Sequence, residues 1–142
     1  MYERIVVGTD GSERAGLAVE HAAALARTFG ARLHLVQGCA GPITTGAALD
    51  GAPGVDPGAL LGAALVQLDE LANRLSVGGL EIDVFAVPHA GPAALIEVAE
   101  KVDADLIVVG NRGMTGAKRL LGSVPNSVSH QAPCSVLIVK TD

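Results

Sequence analysis

The sequence predicts one α/β domain, residues 1–142, built as a doubly wound parallel sheet of five strands. Short apolar runs alternate with longer segments in which apolar residues recur every three or four positions. Glycine or proline lies at the ends of many of these segments. Strand–helix alternation with right-handed crossovers gives a parallel sheet, and we expect the strand order 3-2-1-4-5 with helices on both faces.

The first predicted elements are two strands around one helix. An apolar run within Glu3–Thr9 predicts a strand buried on both faces. Ser12 is a suitable N-cap for the amphipathic helix that follows, and Gly30 is suited to the left-handed conformation that ends a helix. Residues Arg32–Gln37 predict the second strand.

The segment from Gly38 to Gly58 has no hydrophobic period and is rich in glycine and proline. We therefore expect a mobile loop at about residues 38–58. Leucine and alanine recur at helical spacing from about Ala59, which predicts a helix that ends near Gly78. The alternating segment Glu81–Val87 predicts a third strand that is less buried than the first.

The last third of the chain predicts two helices and two strands. Pro92 suits the first turn of a helix, and an apolar run from Leu106 to Val109 predicts the fourth strand. Ser123 is expected to cap the final helix, which ends before Pro133. Residues Cys134–Lys140 predict the fifth strand.

Composition narrows the classes of function. The chain has 10 Lys+Arg against 15 Asp+Glu, a net charge of −5, which argues against nucleic acid as the main partner. We expect a cytoplasmic protein outside the membrane, because no apolar stretch approaches membrane-spanning length and the N-terminus lacks a signal-peptide pattern. No disulfide is expected, because Cys39 and Cys134 would lie three strands apart. The histidines show no metal-ligand spacing.

A loop of glycines and cations follows the fourth predicted strand. It contains Gly110, Gly113 and Gly122, and the range 106–141 contains Lys and Arg but no Asp or Glu. Glycines allow backbone N–H groups to approach a ligand, and a helix beginning at Ser123 adds partial positive charge. This pattern predicts a phosphate cradle. The alternative is an ordinary surface loop, in which the cations only contribute to the solubility of the protein.

The predicted topology indicates the same place. With the order 3-2-1-4-5, the winding reverses between strands 1 and 4, and such sheets bind ligands at the carboxyl ends of those strands. The two loops there are Thr9–Ser12 and Gly110–Gly122.

Three stretches carry a family resemblance: IVVGTDGS, DLIVVGNRGMTGAKRLLGSV and HQAPCSVLIVK. With them the chain resembles the universal stress proteins of the UspA superfamily, over all of its length except the loop at 38–58. The ATP-binding branch of that family has a motif of glycine, two residues, glycine, nine residues, then glycine and Ser/Thr. Gly110 and Gly113 fit its first half and Gly122-Ser123 its second, with eight intervening residues instead of nine.

The resemblance implies a set of nucleotide-binding residues. Asp10 would accept a hydrogen bond from the adenine or sugar side, Gly8 and Thr9 would shape the floor, and Val36 would pack on the adenine. Backbone groups after the fourth strand would contact ribose and phosphates, and the start of the last helix would bind the β- and γ-phosphates. These two groups are Gly110, Asn111, Arg112 and Gly113, and then Gly122, Ser123 and Val124. The structural alternatives are a turn cap for Asp10, ordinary core for Val36 and an N-cap for Ser123.

The resemblance implies a regulatory or stress-response protein that binds ATP, with Mg²⁺ as a companion ion, or another adenine nucleotide such as cyclic AMP. Any hydrolysis would be slow, because no nucleophile–base pair is visible. The alternative is a nucleotide-free dimeric module of the UspA type, which the eight-residue spacing favours. An adenylating enzyme is disfavoured, because no catalytic acid or substrate domain is visible. The family forms homodimers through the edge of the fifth strand, and the apolar run Val136–Val139 invites such pairing.

Overall fold

The computed structural model describes residues 1–39, 56–111 and 124–142. In these ranges five strands alternate with four helices. In chain order the elements are β1 (Arg4–Gly8), α1 (Glu13–Phe29), β2 (Arg32–Gly38), α2 (Pro57–Leu75), β3 (Ile82–Val87), α3 (Gly91–Lys101), β4 (Leu106–Gly110), α4 (Val124–Gln131) and β5 (Ser135–Val139).

The strands form one parallel sheet in the order β3-β2-β1-β4-β5, which confirms the predicted topology. Ile5 at the start of β1 lies opposite Leu33 of β2 on one side and Leu106 of β4 on the other. Because β1 and β4 are neighbours, the winding reverses between them. In open parallel sheets, ligands bind in the crevice that such a reversal leaves at the carboxyl ends of the strands.

The helices cover both faces of the sheet, as predicted. Val7 of β1 belongs to a core with α1 and α2, whereas Val6 belongs to a core with α3 and α4. Alternate strand residues thus enter opposite cores, which explains why β1, with three fully buried residues in succession, reads as a continuous apolar run. β3 is only partly buried along most of its length, which confirms the prediction that it is less buried than β1.

The ends of α1 confirm the predicted caps. The Ser12 hydroxyl accepts a hydrogen bond from the backbone N–H of Ala15 at 3.2 Å. Gly30 has φ of 66°, and its N–H closes the last turn on the carbonyl of Ala26. A residue with a Cβ would be strained in this left-handed conformation.

The prediction that α2 begins at about Ala59 is wrong by two residues. The helix begins at Pro57, because Asp56 caps it by accepting a hydrogen bond from the Gly58 N–H at 3.1 Å, and Pro57 suits the first turn. Pro57 and Gly58, which suggest a loop in the sequence, therefore belong to the start of a helix. At the other end of the predicted loop, Gly38 is the last residue of β2, so the prediction that the loop begins there is wrong. Residues 40–55 of that loop lie outside the described residues, as does the predicted cap Ser123.

Two further findings bear on the composition arguments. Cys39 and Cys134 are both free thiols. Burial raises the pKa of each thiol. Of the helices within the described ranges, none has the length and apolarity needed to cross a membrane.

Candidate functional site

A cleft with a cavity volume of about 150 Å³ lies at the carboxyl ends of β1, β2 and β4. The first turn of α1 contributes to one side, and the starts of α3 and α4 contribute to the other. Its lining in the described residues consists of Gly8, Thr9, Asp10, Arg14, Ala15, Val36, Gly38, Gly91, Leu95, Val109, Gly110, Val124 and Thr141.

The turn between β1 and α1 is held by its own side chains. The Thr9 hydroxyl accepts from the Gly11 N–H at 3.1 Å, and Asp10 Oδ1 accepts from the Ser12 N–H at 2.9 Å. The Thr9 N–H also donates to the Val36 carbonyl at 2.9 Å, which ties the turn to β2. Asp10 is therefore partly a turn cap, as the structural alternative held, and it also lines the cleft.

Gly8 and Val36 form the floor of the cleft beside α3. A Cβ on Gly8 would lie 3.2 Å from Leu95 Cδ2, so the absence of a side chain lets α3 pack closely over the end of β1. Val36 is buried in the core between the sheet and α3, and it also lines the cleft. Val36 is only 1% exposed, so it is chiefly a core residue whose edge reaches the cleft.

The end of β4 places Gly110 and Asn111 differently. Gly110 lines the cleft. The Asn111 N–H donates to the Val139 carbonyl at 2.8 Å, so this predicted backbone donor already belongs to the pairing between β4 and β5. Any backbone contact of Asn111 with a ligand would therefore use its carbonyl group.

Four of the predicted site residues, Arg112, Gly113, Gly122 and Ser123, lie outside the described residues. Val124, the last of the set, lines the cleft at the first residue of α4. The described part of the structure thus brings together Gly8, Thr9, Asp10, Val36, Gly110 and Val124 around one cleft.

Other lining residues were not predicted from the sequence. Arg14 follows the helix cap and is indistinguishable from a surface residue in the sequence, yet it reaches the cleft. Thr141 follows β5 and carries no motif. Gly38 lies where β2 meets the start of α3, and a Cβ there would be 2.6 Å from the His89 carbonyl oxygen. A glycine directly after an apolar strand was the available signal for this close approach.

The described lining contains one carboxylate, Asp10, and one guanidinium, Arg14. The start of α3 adds partial positive charge, because Ala90 at its N-cap makes no side-chain cap hydrogen bond and Gly91 lines the cleft. Apolar side chains, Val36, Leu95 and Val109, supply much of the remaining wall. The cleft therefore combines an apolar surface with groups that attract an anion, a pattern typical of small-ligand sites.

Comparison with known proteins places this chain in a family. Residues 1–140 match the universal stress protein family. Universal stress protein Rv1636 of Mycobacterium tuberculosis is 36% identical over 143 residues, covering 99% of this chain and 97% of that protein. The chain belongs to the universal stress protein family.

Solved structures with the same fold include nucleotide complexes. A universal stress protein crystallised in complex with cAMP is 36% identical, with a TM-score of 0.75, and the match covers 99% of this chain and 98% of that one. A universal stress protein from Archaeoglobus fulgidus in complex with dAMP is 25% identical, with a TM-score of 0.69 and coverage of 98% of both chains. These ligands belong to those two proteins.

Proposed function

We propose that this universal stress protein binds an adenine nucleotide in the cleft between β1 and β4 and acts as a regulatory or stress-response protein. The observation that carries the proposal is the cleft itself. It lies at the reversal point of the sheet and pairs an apolar floor with cationic and helix N-terminal groups. The cAMP complex of a 36% identical protein with the same fold supports adenine as the base.

The arrangement of the lining suggests how such a ligand would lie. Val36 on β2 offers an apolar surface for the adenine. Gly110 on β4 is two strands away, which is about 10 Å at the usual strand spacing. An adenine placed against Val36 covers part of this distance, so the ribose attached to it would lie toward β4. The phosphates would then reach toward Arg14 and the start of α4 at Val124.

We propose ATP as the principal nucleotide because of the motif formed by Gly110, Gly113 and Gly122-Ser123. A Mg²⁺ ion would fit this site through phosphate oxygens, water and at most one carboxylate, Asp10, of the described lining. Other adenine nucleotides, cyclic AMP among them, share the base and ribose and would use the same floor. The cytoplasm is the proposed location, because these nucleotides are found there.

We further propose a symmetric homodimer that pairs β5 with β5. This strand forms one edge of the sheet. Leu137 is 36% and Ile138 48% exposed, which leaves apolar surface beside an edge that can pair with another strand. A nucleotide with different affinities for two dimer arrangements would shift their populations, which is the kind of regulation we propose. A dimer without nucleotide is the competing function.

The proposed contact between Arg14 and the phosphates can be tested with ligands that share the adenine base and differ in phosphate charge. Calorimetry with adenosine, AMP and ATP should show that Arg14→Gln weakens binding of the two phosphorylated ligands about tenfold to a hundredfold, the cost of one charge-assisted hydrogen bond. Adenosine affinity should stay unchanged, since it carries no phosphate.

Lys101→Gln is the matched control, because it removes the same charge from the last residue of α3, where the ammonium lies 5.6 Å from the centre of the Phe85 ring. It should leave all three affinities unchanged. Absence of binding by the wild-type protein would contradict the proposed function. Equal weakening of adenosine and AMP by Arg14→Gln would contradict a phosphate contact.

A further inference from the structure

The chain after β5 is fastened to the end of β4 by the side chain of Asn111. Asn111 Oδ1 accepts two hydrogen bonds from Thr141, one from its backbone N–H at 2.8 Å and one from its hydroxyl at 3.0 Å. Asn111 Nδ2 donates to Asp142 Oδ1 at 2.9 Å. These bonds place Thr141 against the cleft, where it is one of the lining residues.

The partners of this amide fix which end carries the oxygen. The Thr141 backbone N–H can only donate, so the atom that faces it must be the Asn111 carbonyl oxygen. The Asp142 carboxylate, when ionised, can only accept, so the atom that faces it must be the NH₂ group. Both partners require the same orientation, and a flipped amide would break both bonds.

The orientation of Asn111 determines what the Thr141 hydroxyl can do. Since its oxygen lies 3.0 Å from an acceptor that cannot donate, the hydroxyl must give its proton to Asn111 Oδ1. A threonine hydroxyl has one proton and two acceptor lone pairs. The Thr141 hydroxyl can therefore only accept a hydrogen bond from any other group. The residue is 6% exposed and lines the cleft.

The position of Thr141 selects the part of a nucleotide that would meet it. Thr141 packs on Gly110, where an added Cβ would lie 3.0 Å from Thr141 Cγ2. This is the β4 end of the cleft, away from the Val36 floor on β2. The donors of an adenosine nucleotide are the amine of the base and the hydroxyls of the ribose, and the ribose is the part that lies toward β4 in the proposed placement.

We propose that the Thr141 hydroxyl accepts a hydrogen bond from a ribose hydroxyl of the bound nucleotide, and that Asn111 is the positioning residue that keeps Thr141 an acceptor. This inference rests on the proposed function and adds a preference for ribose over deoxyribose. It assigns a role to the segment after β5, which the sequence motif does not include.

The test removes the ribose hydroxyl by changing the ligand and the Thr141 hydroxyl by changing the protein. Calorimetry would compare AMP with 2′-deoxy-AMP and 3′-deoxy-AMP in the wild-type protein and in Thr141→Val and Thr141→Ser. The wild-type protein should bind one deoxy ligand about two- to tenfold more weakly than AMP, the range for a neutral hydrogen bond. Thr141→Val should abolish that difference, and Thr141→Ser, which keeps the hydroxyl, should retain it.

A second variant, Asn111→Ala, tests the positioning role of Asn111. It also keeps the inference testable if Thr141→Val does not fold. Asn111→Ala frees the Thr141 hydroxyl to rotate, so the ratio of the AMP affinity to the deoxy-ligand affinity should fall toward one. Equal affinities of the wild-type protein for all three ligands, or an unchanged preference in Thr141→Val, would overturn the inference and leave the proposed function standing. Absence of all binding would overturn both.

Discussion

His34 and Thr141 are the two polar side chains that the described residues bury. His34 is 3% exposed, and neither ring nitrogen has a hydrogen-bond partner in the described ranges. Its Nδ1 lies 3.4 Å from Asp83 Oδ2, close enough for charge attraction but not aligned as a hydrogen bond. Burial lowers the pKa of His34; Asp83 opposes the shift, and the charges of Arg32 and Arg4 add to it.

The lowered pKa of His34 predicts a loss of stability in mild acid. The unfolded chain, in which histidine has a pKa near 6.5, binds the proton more readily than the folded one. Stability from a neutral His34 is therefore complete well above pH 6.5 and falls as the pH drops below it, by at most about 1.4 kcal/mol per pH unit. Urea unfolding at pH 7.5, 6.5 and 5.5 measures this slope.

His34→Leu should flatten that dependence, since it removes the buried titrating group. His130→Gln is the matched control, because His130 is exposed on α4 and its loss should leave the slope unchanged. An unchanged slope in His34→Leu would show that other groups cause the acid sensitivity.

At the scale of elements, the close contact between the end of β2 and the start of α3 is the tightest at any described glycine. A Cβ on Gly38 would lie 2.6 Å from the His89 carbonyl oxygen and 2.9 Å from the Gly91 nitrogen. Both are backbone atoms, which cannot rotate away as a side chain can. Gly38 therefore sets the distance between the cleft floor and the helix that begins at Gly91.

Gly38→Ala should lower the free energy of unfolding by about 1–3 kcal/mol, the usual cost of overpacking, and weaken ligand binding because α3 is displaced. Gly62→Ala is the matched control: a Cβ there meets nothing within 4 Å, and alanine is the better helix former. Equilibrium denaturation compares the two variants. A Gly38→Ala protein as stable as wild type would mean that β2 and α3 separate without cost.

Element types and order could be predicted from the sequence because each depends on local patterns. Caps such as Ser12 and Gly30 carry their signal within one helix turn. The start of α2 was misplaced because Asp56, Pro57 and Gly58 also occur in loops, and only the hydrogen bond from Gly58 to Asp56 distinguishes a cap.

Part of the cleft could not be predicted because its residues meet only in the folded chain. Thr141 depends on Asn111, 30 positions earlier, and on the pairing of β4 with β5. Arg14 lines the cleft through the orientation of α1 on the sheet. Gly110 and Val124, in contrast, line the same cleft as Asp10, because parallel topology places the carboxyl ends of β1 and β4 side by side.

At the scale of the whole molecule, the parallel sheet directs the N-termini of α1, α3 and α4 to the end where the strands finish. Each helix therefore contributes its positive end to the rim of the cleft, where Arg14, Gly91 and Val124 are lining residues. Among the described residues, β5 has no neighbouring strand on its outer side and forms one lateral edge of the sheet.

The proposed dimer predicts that Ile138→Lys will dissociate it, because a lysine on an apolar edge strand opposes pairing. Light scattering at micromolar concentration should give twice the mass of one chain for the wild-type protein and a single mass for the variant. Val77→Lys is the control, since Val77 is also an exposed apolar residue but lies outside the sheet. A monomeric wild-type protein would contradict the dimer.

The most direct test of nucleotide binding is a calorimetric titration of the wild-type protein with ATP–Mg²⁺ and with cyclic AMP, run at two temperatures so that a zero enthalpy at one of them does not hide binding. Gly122→Val blocks the motif glycine, and Gly62→Val adds the same side chain at a position with open space. We predict micromolar binding that Gly62→Val keeps and Gly122→Val loses for ATP. Absence of heat with both ligands in the wild-type protein would contradict the account and favour the nucleotide-free dimer.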